Sequence, residues 1–562
     1  REREREMEMV SAVSQHPPVT PSVKKPVTRP TVEYEPTVWG DYFINLPPSI
    51  APDSRSWMLQ RSEKLKQEAK TMLRDENDML SKVGMVDTIQ RLGLAYHFEQ
   101  EINEALNEIY EARLENKDLY AVAFRFRLLR QEGYNITTDE FNMFMDEDGK
   151  FLETLRDDVK GLLCLYEAAY LATHEDVILH KAVKFCRDDL KAKLNHVEHE
   201  VAIQIAHALE IPLHRRSKRL ESRQYISMYE TFEQRNDQLL ELAKLDFNLL
   251  LSLHQEEIKS ICLWWKELGL ATKLTFARDK IVEGYFWILG IYFEPSWSRA
   301  RIMSTKVLAF ISYLDDIYDA YGTLEELQVF TDVLQRWDVG ALNLLPGYLK
   351  IYFIALVKVF KEIEDELVKE GHSCRVDYLK NGMIELARAY FQEAKWGSEA
   401  YIPPFEVHLS SSLITAACKA LTCASWIGMG EIPTKEAFEW IVPFPKIIKG
   451  SSAIGRIMND IVSYEREERR EHVASTIQCY MKEHDTSLED TFIKLQEMIE
   501  DAWKDINEES LKPIAIPLPL LTPIINLARI SVTFYRHNDE YTNSSKGIKE
   551  KITLLIIEPI PV

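Results

Sequence analysis

Residues 310 to 323 read FISYLDDIYDAYGT, an apolar run that delivers Asp315, Asp316 and Asp319 to one place. On a helix Asp315 and Asp319 lie one turn apart, and Asp316 stands beside Asp319 at i+3. Counting back from Asp315 along the same face reaches Ile311 and Leu308, so the carboxylates continue an apolar stripe and point into an interior or a cleft. Carboxylates crowded there repel one another unless a cation neutralises them. Hard oxygen donors that leave positions for water or phosphate suit Mg2+ better than zinc. An acidic helix end facing water is the competing reading, because D-D-x-x-D strings arise by chance in acidic chains.

A second oxygen-rich stripe lies in GRIMNDIVSYERE, residues 455 to 467. Asn459, Ser463 and Glu467 fall at i, i+4 and i+8, on one helical face, with Arg456 a turn earlier at its edge. Ile454, Ile457, Met458, Ile461 and Val462 take the other side and can pack into a core. An amide oxygen, a hydroxyl and a carboxylate make a cation site with less negative charge than three aspartates. Taken alone, an amphipathic helix with a wet polar face accounts for this stripe.

Both stripes need helices to hold them, and the chain supplies helical patterning almost throughout. From about residue 55 onward one helical pattern follows another, without strand-like alternation or Asn-Gly hairpin turns. Leu242, Leu245, Leu249 and Leu253 recur at spacings of three and four, which predicts one buried stripe. The polar stretch HRRSKRLESRQ, residues 214 to 224, suggests a boundary near residue 230. The expected fold is all-α in two helical domains, 36–230 and 231–562, preceded by an arm over 1–35 that carries Pro17, Pro18, Pro21, Pro26 and Pro30 and has no core of its own. No repeat of fixed period occurs. The most apolar stretch, PIAIPLPLLTPIINLARI at 513–530, holds four prolines and reads as a poor membrane helix.

Hydrophobic residues form 46% of the 562 and charged residues 28%, a globular rather than a disordered balance. The formal net charge of −21 argues against a general attraction to nucleic acid and leaves any phosphate contact to local basic residues. Seven scattered cysteines with no C-x-x-C pair read as reduced thiols, not as a disulfide scaffold or a zinc site. Four glutamates among the first eight residues are unlike an organelle transit peptide, so a cytoplasmic protein is expected.

Taken together, D-D-x-x-D followed far along the chain by N-D-x-x-S-x-x-x-E resembles the plant class I terpene synthases. The resemblance extends over nearly the whole chain. RPTVEYEPTVWGDYF is similar to the family's R-P-x8-W segment through Arg29, Pro30 and Trp39. FARDKIVEGYFWILGIYFEP (276–295), AYFQEAKW (389–396), HVASTIQCYM (472–481) and DEYT (539–542) follow in the family's order.

The resemblance implies a class I terpenoid synthase fold for the C-terminal domain and a relict helical barrel for the non-catalytic N-terminal one, with the arm capping the active site. It implies three Mg2+ ions, with Mn2+ as an alternative, held by Asp315 and Asp319 on one wall and Asn459, Ser463 and Glu467 on the other. Asp316 is then a partial or indirect ligand. Arg278, Lys280 and Arg456 become partners of a substrate diphosphate. Trp287, Tyr535 and Tyr541, with Asp539, match the family's pocket residues, whereas Tyr285 and Phe286 are expected in the core. LTCASWIG (421–428) corresponds to the helix break that lines the cavity in the family. The D-x-D-D acid of class II cyclases is absent, since FMDEDGKF (144–151) spaces its acids differently.

Three departures stand out. The family's R-x-R is RDK here, so Lys280 keeps a charge but loses the planar phosphate fork. Glu471 and Glu540 stand where glycine is common, on loops expected to close over the site. The single R-P arginine, the length and the acidic start favour the cytosolic sesquiterpene branch, hence farnesyl diphosphate, with a monoterpene enzyme using geranyl diphosphate as the alternative. A monomer without nucleic-acid or membrane partners is expected. A chain-elongating prenyltransferase normally carries two aspartate-rich motifs, which this chain lacks; an inactive helical scaffold would be expected to have lost one motif or both.

Overall fold

The computed structural model describes residues 34–114, 117–468 and 474–562, apart from the side chains of Glu467 and Glu468. Arg29, Pro30, Glu471 and His472 therefore lie outside the described residues. Within them the chain is helical as expected, and the only β-type pairing described is an isolated bridge between Met145 and Phe151. That bridge closes a turn in which Asp146 accepts the Lys150 backbone N–H, which occupies one acid of the 144–151 stretch.

The helices that build and brace the site are α1 (Pro52–Asp75), α2 (Met79–Arg91), α3 (Leu119–Gln131), α4 (Val159–Ala169), α5 (Val177–Lys193) and α6 (Lys218–Tyr229), followed by α7 (Asp237–Leu268), α8 (Ile281–Ile291) and α9 (Ser298–Asp316). Further along come α10 (Arg375–Ser398), α11 (Phe405–Thr415), α12 (Cys418–Ile427), α13 (Lys446–Glu468), α14 (Leu488–Glu509), α15 (Leu518–Tyr535) and α16 (Gly547–Ile552). Helices α3, α4 and α5 pack in sequence around a small core of residues between Leu114 and Ala208. A much larger core runs from Trp39 to Ile560 and draws side chains from both sides of residue 230.

Helix α7 shows why. Asn236 caps it, its side-chain oxygen accepting the N–H groups of Gln238 and Leu239, and Gly269 ends it at φ 67°. Leu242 and Leu245 are buried as the stripe predicts, but Leu249 and Leu253 are only half-buried. The helix buries most of its circumference instead, because α1 covers one side and α8 and α9 another. Polar residues on the covered faces are bonded. Asn248 bonds Ile560 backbone atoms, and Glu257 holds Arg301 and the Tyr285 hydroxyl in the core.

The proline-rich stretch also departs from expectation. Helix α15 begins after Pro517, takes Pro519 into its first turn, where no N–H is needed, and tolerates Pro523 inside. By length and composition it could cross a membrane, yet 78% of it is buried within the protein. It is the central core helix, packed on α8, α12 and α13. The segments before α7 are fastened beside it: Arg529 donates to the His214 carbonyl at 2.7 Å, and Arg215 forms a two-pronged pair with Glu500 at 2.7 and 2.6 Å.

Candidate active site

Helix α9 carries the aspartates to the end of a buried face, with Leu308, Ile311 and Leu314 beneath them. It does not continue as an α-helix. Residues Ile317–Tyr321 form a π-turn, so the motif straddles a change of winding. The three carboxylates consequently do not share one α-helical face. Asp316 is fully buried, Asp315 is about one-third exposed, and Asp319 is exposed.

Arg278, on the segment before α8, answers the buried charge. Its backbone N–H donates to Asp316 Oδ2 at 2.7 Å, its Nε lies 2.9 Å from Asp316 Oδ1, and its Nη2 meets Asp315. Burial pushes the Asp316 carboxyl up to about 6, with Asp315 adding to the rise and Arg278 opposing it. The same burial would pull the guanidinium down, but the two aspartates hold it well above its ordinary value. Its cationic plane also sits 5.3 Å from the Tyr34 ring and 5.8 Å from that of Tyr541.

Helix α13 supplies the opposite wall. Ile454 and Ile457 are fully buried, whereas Met458, Ile461 and Val462 are only half-buried, and the neighbouring Asp460 and Ser463 are buried polar residues. Ser463 donates its hydroxyl proton to the Asn459 carbonyl at 2.8 Å. Glu467 belongs to this helix, but its side chain lies outside the described residues. Arg456 pairs with Asp460 at 3.4 Å and donates to Thr415 at 3.3 Å, and Thr415 in turn donates to Glu393 at 3.0 Å. Burial pushes Glu393 up to about 7, against the pull of Arg456. Burial also works against the Arg456 charge, and Asp460, Glu393 and Asp315 together hold its pKa up. The Asp315 charge thus acts on Arg456 as well as on Arg278.

A loop between α15 and α16 closes the ring. Asp539 pairs with Arg466 of α13 at 2.8 Å and accepts the Thr542 N–H at 3.0 Å, while Arg278 donates to the Thr542 hydroxyl at 3.2 Å. Tyr541 donates to Ser312 of α9 at 3.1 Å. Lys280, only 5% exposed, donates to Ser544 at 2.9 Å. Glu540 does not obstruct the space, because it turns outward to Lys551 at 2.8 Å.

The aromatic wall follows from α8 against α15. Trp287 stacks on Phe534 at 4.4 Å and meets Tyr535 and Tyr541 edge-on at 5.8 and 5.7 Å. Tyr285 and Phe286 are core, as expected. Phe534 is a partner that sequence reasoning passed over in favour of Tyr535; Tyr34, Glu393, Thr415, Thr542 and Ser544 are others. The helix break also lies elsewhere than expected. Residues 421–427 sit inside regular α12, and the break falls at Ala417, which adopts φ 62° between α11 and α12. Cys423 faces a cleft lined by Tyr378, Glu385 and Phe438.

The donor set fits a hard divalent cation: two accessible carboxylates on one wall, an amide and a hydroxyl oxygen on the other, and no thiol or imidazole named among them. Residues 266–505 match the model of the terpene synthase family, metal binding domain, and residues 38–209 match that of the terpene synthase, N-terminal domain. Alpha-humulene synthase of Zingiber zerumbet is 49% identical over 535 residues, 95% of this chain and 97% of that relative. The crystal structure of limonene synthase with 2-fluorolinalyl diphosphate superposes with TM-score 0.90 at 32% identity, covering 95% of this chain and 100% of that one. Isoprene synthase from grey poplar, solved with three Mg2+ ions and dimethylallyl-S-thiolodiphosphate, superposes with TM-score 0.83 at 34% identity over 90% and 98% of the two chains.

Proposed function

We propose that this chain, which belongs to the terpene synthase family and is a lyase that takes a prenyl diphosphate and a divalent metal, uses Mg2+ to ionise farnesyl diphosphate and converts the cation to a sesquiterpene. The observation that carries the reading is the continuous path Asp315–Arg278–Thr542–Asp539–Arg466, which bonds the aspartate helix to the Asn459 helix around one space. The several sesquiterpene synthases among the relatives support the fifteen-carbon substrate.

Asp315 and Asp319 would hold ions on one side, and Asn459 and Ser463, with Glu467, on the other. When bound, such ions offset the charge that grows on a departing diphosphate, worth several kcal/mol. Arg456 would share the diphosphate oxygens. Arg278 does two things: it keeps Asp316 ionisable in a buried place, and it offers the diphosphate a guanidinium already oriented by two aspartates. Departure of the diphosphate leaves an allylic cation that water would quench. Trp287, Phe534 and Tyr541 would offer ring faces that lower its energy without offering a nucleophile, about 2 kcal/mol for a desolvated face.

The test is direct. Purified protein is incubated with Mg2+ and farnesyl diphosphate, or with geranyl diphosphate, and the extract is separated by gas chromatography with mass detection. A C15 hydrocarbon or alcohol from farnesyl diphosphate is expected. Turnover of geranyl diphosphate alone would make the chain a monoterpene synthase, the second reading, which the likeness to limonene synthase supports. Longer prenyl diphosphates as the sole products would overturn both.

A further inference from the structure

Lys280 stands where phosphate capture would be expected of it, yet its ammonium is spent elsewhere. Nζ donates to Ser544 Oγ at 2.9 Å, with the lysine 5% and the serine 3% exposed. One helical turn beyond Lys280, Glu283 is fully buried, and the Ser544 hydroxyl acts on its carboxylate as well. Burial pushes the Glu283 carboxyl up, and the Lys280 ammonium is the strongest influence opposing that rise. A lysine lodged between a buried carboxylate and a loop hydroxyl is poorly placed to turn toward an incoming anion, because it would leave Glu283 without its cation. The middle residue of the RDK triplet is also committed: Asp279 accepts the Trp265 indole N–H at 2.9 Å. Only Arg278 of the three faces the aspartates.

We infer that Lys280 is a positioning residue, a buried latch that holds the 539–546 loop on α8 through Ser544, rather than a ligand of the diphosphate. The loop it holds carries Asp539, Tyr541 and Thr542, whose bonds join α13, α9 and Arg278. Ser544 is the last side-chain fastening of the loop before α16, and its partner is buried. The substitution of lysine for a planar guanidinium then has a use of its own. A single-point donor on a flexible stem reaches one hydroxyl in a space where a five-donor fork would leave buried N–H groups unmet. The consequence for catalysis rests on the terpene synthase reading; the latch itself does not.

The experiment compares Lys280→Met and Ser544→Ala with the parent protein, full length and free of metal and diphosphate. Amide hydrogen exchange over residues 539–546 is measured by mass spectrometry, because local opening reports the latch without any turnover. Exchange there about tenfold faster in both variants, with the helices α13 and α15 unchanged, is the expected result. In parallel, inhibition by inorganic diphosphate with Mg2+ is measured on the Ser544→Ala protein, which keeps the lysine charge; a change within twofold is expected. Parent-like exchange in both variants overturns the inference. So does a Lys280→Met protein whose diphosphate inhibition weakens about tenfold while loop exchange stays unaltered, for Lys280 is then a ligand. If Lys280→Met fails to fold, Ser544→Ala alone decides.

Discussion

Asp539 and Arg466 stand 2.8 Å apart, and that one pair ties the loop after α15 to the helix that bears Asn459 and Ser463. Asp539 is 5% exposed, while the arginine is about one-third exposed, so solvent screens part of the attraction. Burial alone would raise the Asp539 carboxyl, but Arg466 and the Thr542 hydrogen bonds bring it below its ordinary value.

Replacing Arg466 with methionine is expected to lower kcat about fivefold, an effect of about 1 kcal/mol for a partly screened pair. The helical signal should be unaffected. Steady-state rates within twofold of the parent would mean that the loop is held without this pair.

Asp315→Ala removes a proposed metal ligand and a partner of Arg278 at once. Turnover is expected to fall between about a hundredfold and a thousandfold at saturating Mg2+, the scale of losing one preorganised electrostatic contact. Chelation of the parent protein should abolish turnover, and added Mg2+ should restore it. A variant that keeps more than a tenth of the parent rate removes Asp315 from the ligand set.

The 4.4 Å stack of Phe534 on Trp287 fixes the indole plane. Phe534→Leu keeps the apolar volume roughly and loses the ring pair, worth about 1 kcal/mol. Product proportions should shift while KM changes little. An unaltered product profile would place Phe534 in the core without influence on the cation.

Far from the site, Glu221 bridges Arg91 of α2 and Arg216, at 2.9 and 2.7 Å. Burial would raise its carboxyl, but the two arginines outweigh burial and hold it at about 2, against 4.5 for an ordinary glutamate. Because the folded value is the lower, the stabilisation is complete above pH 4.5 and is lost as pH falls through 2; it amounts to about 3 kcal/mol. Glu221→Gln should therefore unfold at lower urea near neutrality, and its deficit should shrink steadily on acidification. A deficit that does not depend on pH would contradict the assignment.

How far the sequence foretold all this depends on the kind of signal. The helices that carry the two oxygen-rich stretches were legible, because spacings of three and four survive in any context that buries one face. Asp316 was harder to read: a π-turn has no mark in composition, so nothing announced that the winding widens after it. The break at Ala417 was hidden for a related reason, since neither Gly nor Pro stands there to punctuate the chain. Phe534 and Tyr535 are adjacent, and only packing against α8 tells which of the two lies flat on Trp287. Lys280 was read by its charge, and charge does not say where a flexible stem leads. Leu249 and Leu253 were assigned to a stripe when the real constraint was coverage from several sides.

Helix α15 is apolar enough for a bilayer, and its burial inside the protein depends on the helices around it. The three helices that pack most extensively on it, α8, α12 and α13, precede it in the chain. During synthesis the greasy segment thus leaves the ribosome after its future neighbours, and a receptive groove can be waiting. A rearranged gene that moved α15 to the front would present the same residues naked to membranes and chaperones, with every side chain of the catalytic chamber still encoded.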